Sequence, residues 1–204
     1  MIPNVDRVLD VGADHALLDI YLARKYSNTN FLAIDISEKA LENAEKNIKE
    51  ANLESRIKIL LNNGLDNISL NKDDFIVLSG LGTNTIIKII EKRANEINNV
   101  LIQSNRDLES LRRKMYEFGF KILEEKIIFD HSYYVFIKFK KAKTNYNNED
   151  FWLGPLIKKS KNYAYFEFLI KKYKKILPGI PDNDLKKIEI VNRIKYLENL
   201  TEKK

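Results

Sequence analysis

Val8-Leu9-Asp10-Val11-Gly12-Ala13-Asp14-His15-Ala16-Leu17-Leu18 passes from a short apolar run, through a glycine turn, to a helical pattern. The run Val8 to Val11 reads as a buried strand. It ends at Gly12, and the helix is expected from about His15. A strand-to-helix turn that opens a βα unit is where doubly wound sheets bind nucleotides. The fingerprint G-x-G-x-x-G is absent, because Gly12 is followed by Asp14 and Leu17 at the other two positions. The turn therefore does not suit a pyrophosphate. With Asp10 and Asp14 it is acidic, and it suits a ligand that carries positive charge or many donors. S-adenosylmethionine, with its sulfonium, ammonium and ribose, has that chemistry.

About twenty residues further on, Phe31-Leu32-Ala33-Ile34-Asp35 reads as a second buried strand ending in an acid. A carboxylate at that place can accept both ribose hydroxyls, in NAD enzymes and in methyltransferases alike. The acidic first turn favours the second class. The plainer reading is that Asp10, Asp14 and Asp35 only cap turns and helix starts.

The chain has 204 residues, room for one domain and a small appendage, and 44% hydrophobic residues, enough for a core. It has no cysteine, which excludes disulfides and thiolate metal sites. Its two histidines, His15 and His131, have no metal-ligand spacing, and no metal is expected. No apolar run approaches the ~18 residues of a membrane span, and Met-Ile-Pro-Asn is not signal-like. A cytoplasmic, monomeric protein without membrane contact is the expectation.

Charge divides unevenly. Residues 1–137 hold 18 Lys and Arg against 21 Asp and Glu, and residues 138–204 hold 17 against 8. A weakly acidic domain carrying a strongly basic tail points to a polyanionic partner. The alternative is a solubilising lysine-rich helical face.

Strands and helices alternate from residue 7 to about 128, which predicts a mostly parallel sheet with helices on both faces. Strands are expected at 8–11, 31–35, 57–61, 74–79 and 100–103. Helices are expected at about 15–26, from a Ser37 cap to 51, at 85–95, and from Asp107 to a stop at Gly119. Residues 120–129 and 133–139 then read as two long strands around Asp130-His131-Ser132. An antiparallel hairpin closing a parallel sheet is typical of the Rossmann-like methyltransferase fold and atypical of NAD domains. These patterns set an α/β domain over about 1–140. Residues 140–150 read as a linker, and Phe151-Trp152-Leu153-Gly154-Pro155 as an apolar turn packed on the domain. The appendage over about 148–204 is expected to be a basic, coiled-coil-like helical hairpin, with helices at 157–177 and 181–200. The second helix repeats apolar residues at Leu185, Ile188, Val191, Ile194, Leu197 and Leu200. Lys158, Lys159, Lys161, Lys171, Lys172, Lys174 and Lys175 fall on the first of these helices with Tyr163, Tyr165 and Tyr173. Lysines at helical spacing can follow a phosphate backbone, giving affinity and register.

Asp10-Val-Gly-Ala-Asp-His-Ala-Leu-Leu18 resembles the D-x-G-x-D-H-A-x-L motif of the bacterial TrmK-type tRNA (adenine-22-N1)-methyltransferases. Further matches follow in order: Asn63-Gly64-Leu65, Ser79-Gly80-Leu81-Gly82, Gln103-Ser104-Asn105, Tyr134, and Phe151-Trp152-Leu153-Gly154-Pro155. The resemblance spans nearly the whole chain. It also has departures. Asp19 stands where the family has proline, Asn63 where an acid precedes the glycine, Thr83 where a glycine follows Gly82, and Ser104 where a proline separates Gln103 from Asn105. The family's helix ahead of the first strand is expected to be missing, since the chain starts six residues before Arg7.

The resemblance implies methyl transfer from S-adenosylmethionine to N1 of adenine 22 in the D-arm of tRNA. That nitrogen has a lone pair and no proton, so catalysis is expected to be alignment rather than base chemistry. Together with the residue reading it places the cofactor at Asp10, Gly12, Asp14, His15, Asp35, Asn63, Gly64 and Gly80. His15 would orient the turn rather than move protons. Ser79-Gly80-Leu81-Gly82 replaces the Asn/Asp-Pro-Pro-Tyr turn common in exocyclic-amine methyltransferases. Its glycines leave room for a flat base beside Leu81 and Gly82. Gln103 and Asn105 are candidates to bond the Watson–Crick edge, and Tyr134 to stack on a flipped base. Two other readings stay open: a methyltransferase for a small molecule or protein, active without tRNA, and a cofactor-binding RNA module without turnover.

Overall fold

The structure is a computed structural model that describes residues 1–104 and 106–202. Two compact units divide the chain, Met1–Pro155 and Leu156–Lys204.

The first unit is built on seven strands: β1 (Arg7–Val11), β2 (Asn30–Asp35), β3 (Ile57–Leu61), β4 (Phe75–Ser79), β5 (Asn99–Gln103), β6 (Phe120–Asp130) and β7 (Ser132–Lys141). They form one sheet in the order β3-β2-β1-β4-β5-β7-β6. β1 to β5 run parallel, and β7 is antiparallel to both β5 and β6. The apolar runs lie in the centre because helices cover both faces there. Val8 and Leu9 are fully buried, and so are Phe75 to Leu78. Strand order reverses between β1 and β4, which opens a crevice above their carboxyl ends.

The connecting helices are α1 (Leu17–Lys25), α2 (Glu38–Glu50), α3 (Thr83–Arg93) and α4 (Leu108–Glu117). Ser37 accepts from Ala40 N at 3.3 Å and caps α2, and Asp107 accepts from Ser110 N and caps α4. α1 starts two residues later than its periodicity predicts. Asp14 (φ 47°) and Ala16 (φ 54°) both take left-handed backbone, so no helical turn can form across His15. α3 starts two residues early, because Gly82 rather than Asn84 takes the extended cap position.

The segment read as a linker is part of the domain. Tyr146 Oη accepts from Ile122 N at 2.7 Å, and Asn147 and Asp150 form a reciprocal cap on a short helix, α5 (Asn148–Trp152). Phe151 sits edge-on to Tyr116 and under the Arg113 guanidinium, 4.5 Å from its ring centre. Beneath it Arg112 and Glu125 form a buried ion pair. Arg112 Nε donates to Glu125 at 2.9 Å, and Nη1 donates to the Phe151 carbonyl at 3.0 Å. Gly154 (φ 110°) crosses this pair so closely that a Cβ there would lie 2.5 Å from a Glu125 oxygen. These contacts carry the first unit to Pro155, beyond the boundaries at 140 and 148 read from the sequence.

The second unit holds a 3₁₀ turn (Ile157–Lys159), helix α6 (Tyr163–Ile176), a second 3₁₀ turn over Pro178 and helix α7 (Leu185–Thr201). α6 and α7 pack on each other, and Lys174 pairs with Glu198 at 2.7 Å. The long helix expected from 157 is interrupted: Ser160 bonds back to the Ile157 carbonyl and Asn162 caps Tyr165 N. Lys158, Lys159 and Lys161 therefore precede α6 rather than lie on it. On α7 the buried positions are Ile190, Ile194 and Leu197, whereas Leu185 and Ile188 are exposed. A step of three drifts around the helix, and the real stripe follows the mixed step of three and four.

Candidate active site

The carboxyl ends of β1 and β2 build one side of the crevice. Gly12 N and Ala13 N both donate to the Ile34 carbonyl, at 2.8 and 3.1 Å, which folds the first turn over the end of β2. Gly12 takes φ 81°, and a Cβ there would meet Leu81 at 3.0 Å. Only glycine lets the β1 turn and the β4 turn approach this closely.

Asp35 joins the two acidic turns. Its carboxylate accepts from Asp14 N at 3.2 Å and from Ser37 N at 2.9 Å. A carboxylate has about four acceptor sites, so this arrangement fixes its orientation and leaves capacity for two hydroxyls. The Asp14 side chain is exposed and lies 3.6 Å from His15 Nε2. The His15 carbonyl is held by Asn47 at 3.0 Å. Ile36, directly after Asp35, is 72% exposed and offers bare apolar surface there.

Asp10 stands differently. It is 4% exposed, and Asp19, from α1, is fully buried beside it. No described N–H or O–H reaches either oxygen of Asp19. Burial pushes the Asp10 carboxyl up to about 7, with Asp35 adding repulsion and the bond from Asp19 opposing it. Burial, and then the charge of Asp10, push Asp19 up further. Each carboxyl therefore holds its proton to higher pH than a free one, Asp19 more so than Asp10. Asp10 thus acts from beneath the turn rather than at its surface. Asp19 escaped the sequence reading as a site residue, because nothing local shows that this acid is buried beside Asp10.

On the β3 side, the Asn62 side chain donates to the carbonyls of Gly64 and Asp66 and shapes the next turn. Gly64 is left-handed (φ 62°). Asn63 is exposed and lines a hollow of about 170 Å³ with Asp66, Thr85, Lys88, Ile89 and Lys92.

Across the switch point, Gly80, Leu81, Gly82, Gln103, Ser104 and Arg106 line a cavity of about 280 Å³. A Cβ on Gly80 would meet nothing within 4 Å, so this turn faces open space. Gln103 is buried, and its Oε1 accepts from Gly80 N at 3.0 Å and Ser79 Oγ at 3.3 Å. Both lone pairs of that oxygen are engaged, so Gln103 braces the β4–α3 turn against β5 rather than presenting an acceptor to a base. Arg106 was missed in the sequence, where it is only a basic residue after a polar triplet. Asn105 lies outside the described residues. Tyr134 is half-buried, two residues beyond Phe136, the partner of Gln103, and so past the carboxyl end of β5. It does not line the cavity. His131 sits fully exposed in the hairpin turn. Among the described residues no group of three His, Asp or Glu could hold a metal. None of their helices is long and apolar enough to cross a membrane.

The donor set fits S-adenosylmethionine: acids for the cationic groups, an oriented carboxylate for the ribose and an open glycine turn beside it. Together with the mixed sheet this defines a Rossmann-like methyltransferase that uses that cofactor. The chain belongs to the TrmK family, tRNA (adenine(22)-N(1))-methyltransferase, whose family model matches residues 8–199. It is 30% identical over 201 residues to the Mycoplasma genitalium protein MG248, covering 94% of this chain and 90% of that one. It is also similar to Mycoplasma capricolum TrmK, solved with S-adenosyl-homocysteine: 31% identity, 99% and 93% coverage, TM-score 0.84. The Bacillus subtilis TrmK structure, at 20% identity, 98% and 94% coverage and TM-score 0.83, shares the fold.

Proposed function

We propose that this chain methylates N1 of adenine 22 in tRNA with S-adenosylmethionine as donor. Family membership across both units carries the reading, since the match runs from β1 to the end of α7. The cofactor supplies an activated methyl group, and the base supplies the lone pair that takes it.

The chain's own part is positioning. Asp35, oriented by Asp14 N and Ser37 N, accepts the ribose hydroxyls. Asp14 and His15 border the cationic end, and Asp10 holds the turn from below. Ile36, Asn63 and Gly64 border the adenine of the cofactor. The cavity at Gly80, Leu81 and Gly82 takes the target base, with Gln103 fixing its walls. Alignment of this kind can contribute several orders of magnitude in rate, and no side chain needs to remove a proton before attack. Asn105 and Tyr134 are proposed base contacts. Lys158, Lys159, Lys161, Lys171, Lys172, Lys174 and Lys175 are proposed phosphate contacts, and we place the enzyme in the cytoplasm, where its substrate resides.

Transfer of radiolabelled methyl from S-adenosylmethionine to unmodified tRNA transcripts, with nuclease mapping, tests the reading. Label in 1-methyladenosine at position 22 is expected. Transfer to a protein or small molecule instead, or cofactor binding without transfer to tRNA, would sink it.

A further inference from the structure

Thr83, the first residue of α3, and Ser104, the first residue past β5, are both buried, and their hydroxyl oxygens lie 2.9 Å apart. Thr83 Oγ1 also donates to the Arg106 carbonyl, and Ser104 Oγ lies 3.3 Å from that same oxygen. Each hydroxyl has one proton, and the carbonyl can only accept. The closer contact commits the Thr83 proton to the carbonyl, so the Ser104 proton goes to Thr83 Oγ1. The three groups form a satisfied relay in a water-poor place, where such networks select one arrangement.

The relay has a counterpart at the neighbouring residue. Gln103 Oε1 ties the β4–α3 turn to β5 through Gly80 N. The Thr83–Ser104–Arg106 relay ties the start of α3 to the segment after β5. Gln103 and Ser104, which carry the two ties, both line the cavity with Gly80, Leu81, Gly82 and Arg106. The tie needs a hydroxyl at both positions, so neither residue alone could form it.

We propose that the Thr83–Ser104 hydroxyl pair is a positioning device for methyl transfer, setting the separation of the cavity walls and hence the seat of the target base. This rests on the function proposed above. The hydroxyls act through the backbone of α3 and of Arg106. The carboxyl ends of β1 and β2, where the cofactor is placed, lie outside the relay. Alignment is sensitive to displacements well under a bond length, so losing the tie lowers turnover while cofactor affinity stays.

The experiment compares Thr83→Val, Ser104→Ala, the double variant and Thr83→Ser. Cofactor affinity is read by calorimetry, thermal midpoint by calorimetric scan, and kcat and KM with tRNA well below that midpoint. The expected result is that Thr83→Val and Ser104→Ala each lower kcat about tenfold, with cofactor affinity within about twofold of wild type. The double variant should be no worse than Thr83→Val, since both sever one network. Thr83→Ser should restore turnover. Unchanged kcat in both single variants, losses that track the thermal midpoint and cofactor affinity alike, or a serine variant as slow as valine would each overturn the proposal. A wild-type chain that transfers no methyl to tRNA overturns the proposed function and this device with it. An active wild type with indifferent variants overturns the device alone.

Discussion

Two buried neighbouring carboxyls make Asp10 and Asp19 a source of pH dependence. In the unfolded chain both ionise near pH 4, whereas in the native state burial raises Asp10 to about 7 and Asp19 further. Between those values the native state binds more protons than the unfolded state. Stability from the pair is therefore full below about pH 4 and declines as pH rises through 7, by about 1.4 kcal/mol per pH unit for each proton concerned. Asn at position 19 would donate to Asp10 permanently. Urea unfolding from about pH 5 to about pH 8 is expected to show a decline that Asp19→Asn makes shallower. An equally steep decline would assign the effect elsewhere. At Asp35 the expectation is a cofactor affinity more than about tenfold weaker in Asp35→Ala, read by calorimetry. Asp35→Asn, which keeps one acceptor oxygen, should lose less. Both residues show what a sequence carries at this scale. The place of Asp35 at the end of β2 was legible from the apolar run that leads to it. Asp19 was not, because its partner lies nine residues away on another element.

Strands were legible because their apolar runs are short and dense, and those of β1, β2 and β4 stop at Gly12, Asp35 and Gly80. Helix starts were less so, since they depend on backbone angles. Asp14 and Ala16 look like ordinary helix residues, and their positive φ follows from how the turn closes onto Ile34. Residues 157–162 keep enough helical composition to hide the Ser160 and Asn162 caps. Residues 140–150 looked like a linker because Tyr146 meets its partner on β6 with no local pattern to announce it, whereas the apolar turn from Phe151 was legible as packed on the domain. That anchor makes a sharp prediction. Gly154→Ala drives a Cβ against the Glu125 carboxylate at a φ that alanine avoids, and should cost about 2–4 kcal/mol in chemical denaturation. Arg112→Ala takes the guanidinium away from the buried Glu125 carboxylate and should cost about 3–5 kcal/mol. A loss under about 1 kcal/mol in both would mean that 142–155 is held by something other than this ion pair.

For the molecule as a whole, the division of charge was plain from composition, and its use was not. Lys171, Lys172, Lys174 and Lys175 are exposed on α6, with Lys174 also paired to Glu198. Replacing all four with Gln should weaken tRNA binding and lower the steepness of its salt dependence by about three to four phosphate contacts, while cofactor affinity holds. Binding titrations over a salt series read this directly. An unchanged slope would remove α6 from the RNA interface. The closing hairpin announced the fold class because two long strands after five parallel units have few places to go.

That hairpin also governs how the chain comes into being. β6 is synthesised before β7, yet its only neighbour in the sheet is β7, which inserts between it and β5. While residues 120–131 emerge, β6 has nothing to pair with and β5 remains a bare edge with Val100, Leu101 and Ile102 at its heart. A nascent chain at that stage presents an open strand to any other chain nearby. Only when Lys141 has emerged can β7 close the edge and give β6 its partner in the same step. The interval between those two strands leaves that edge open to aggregation.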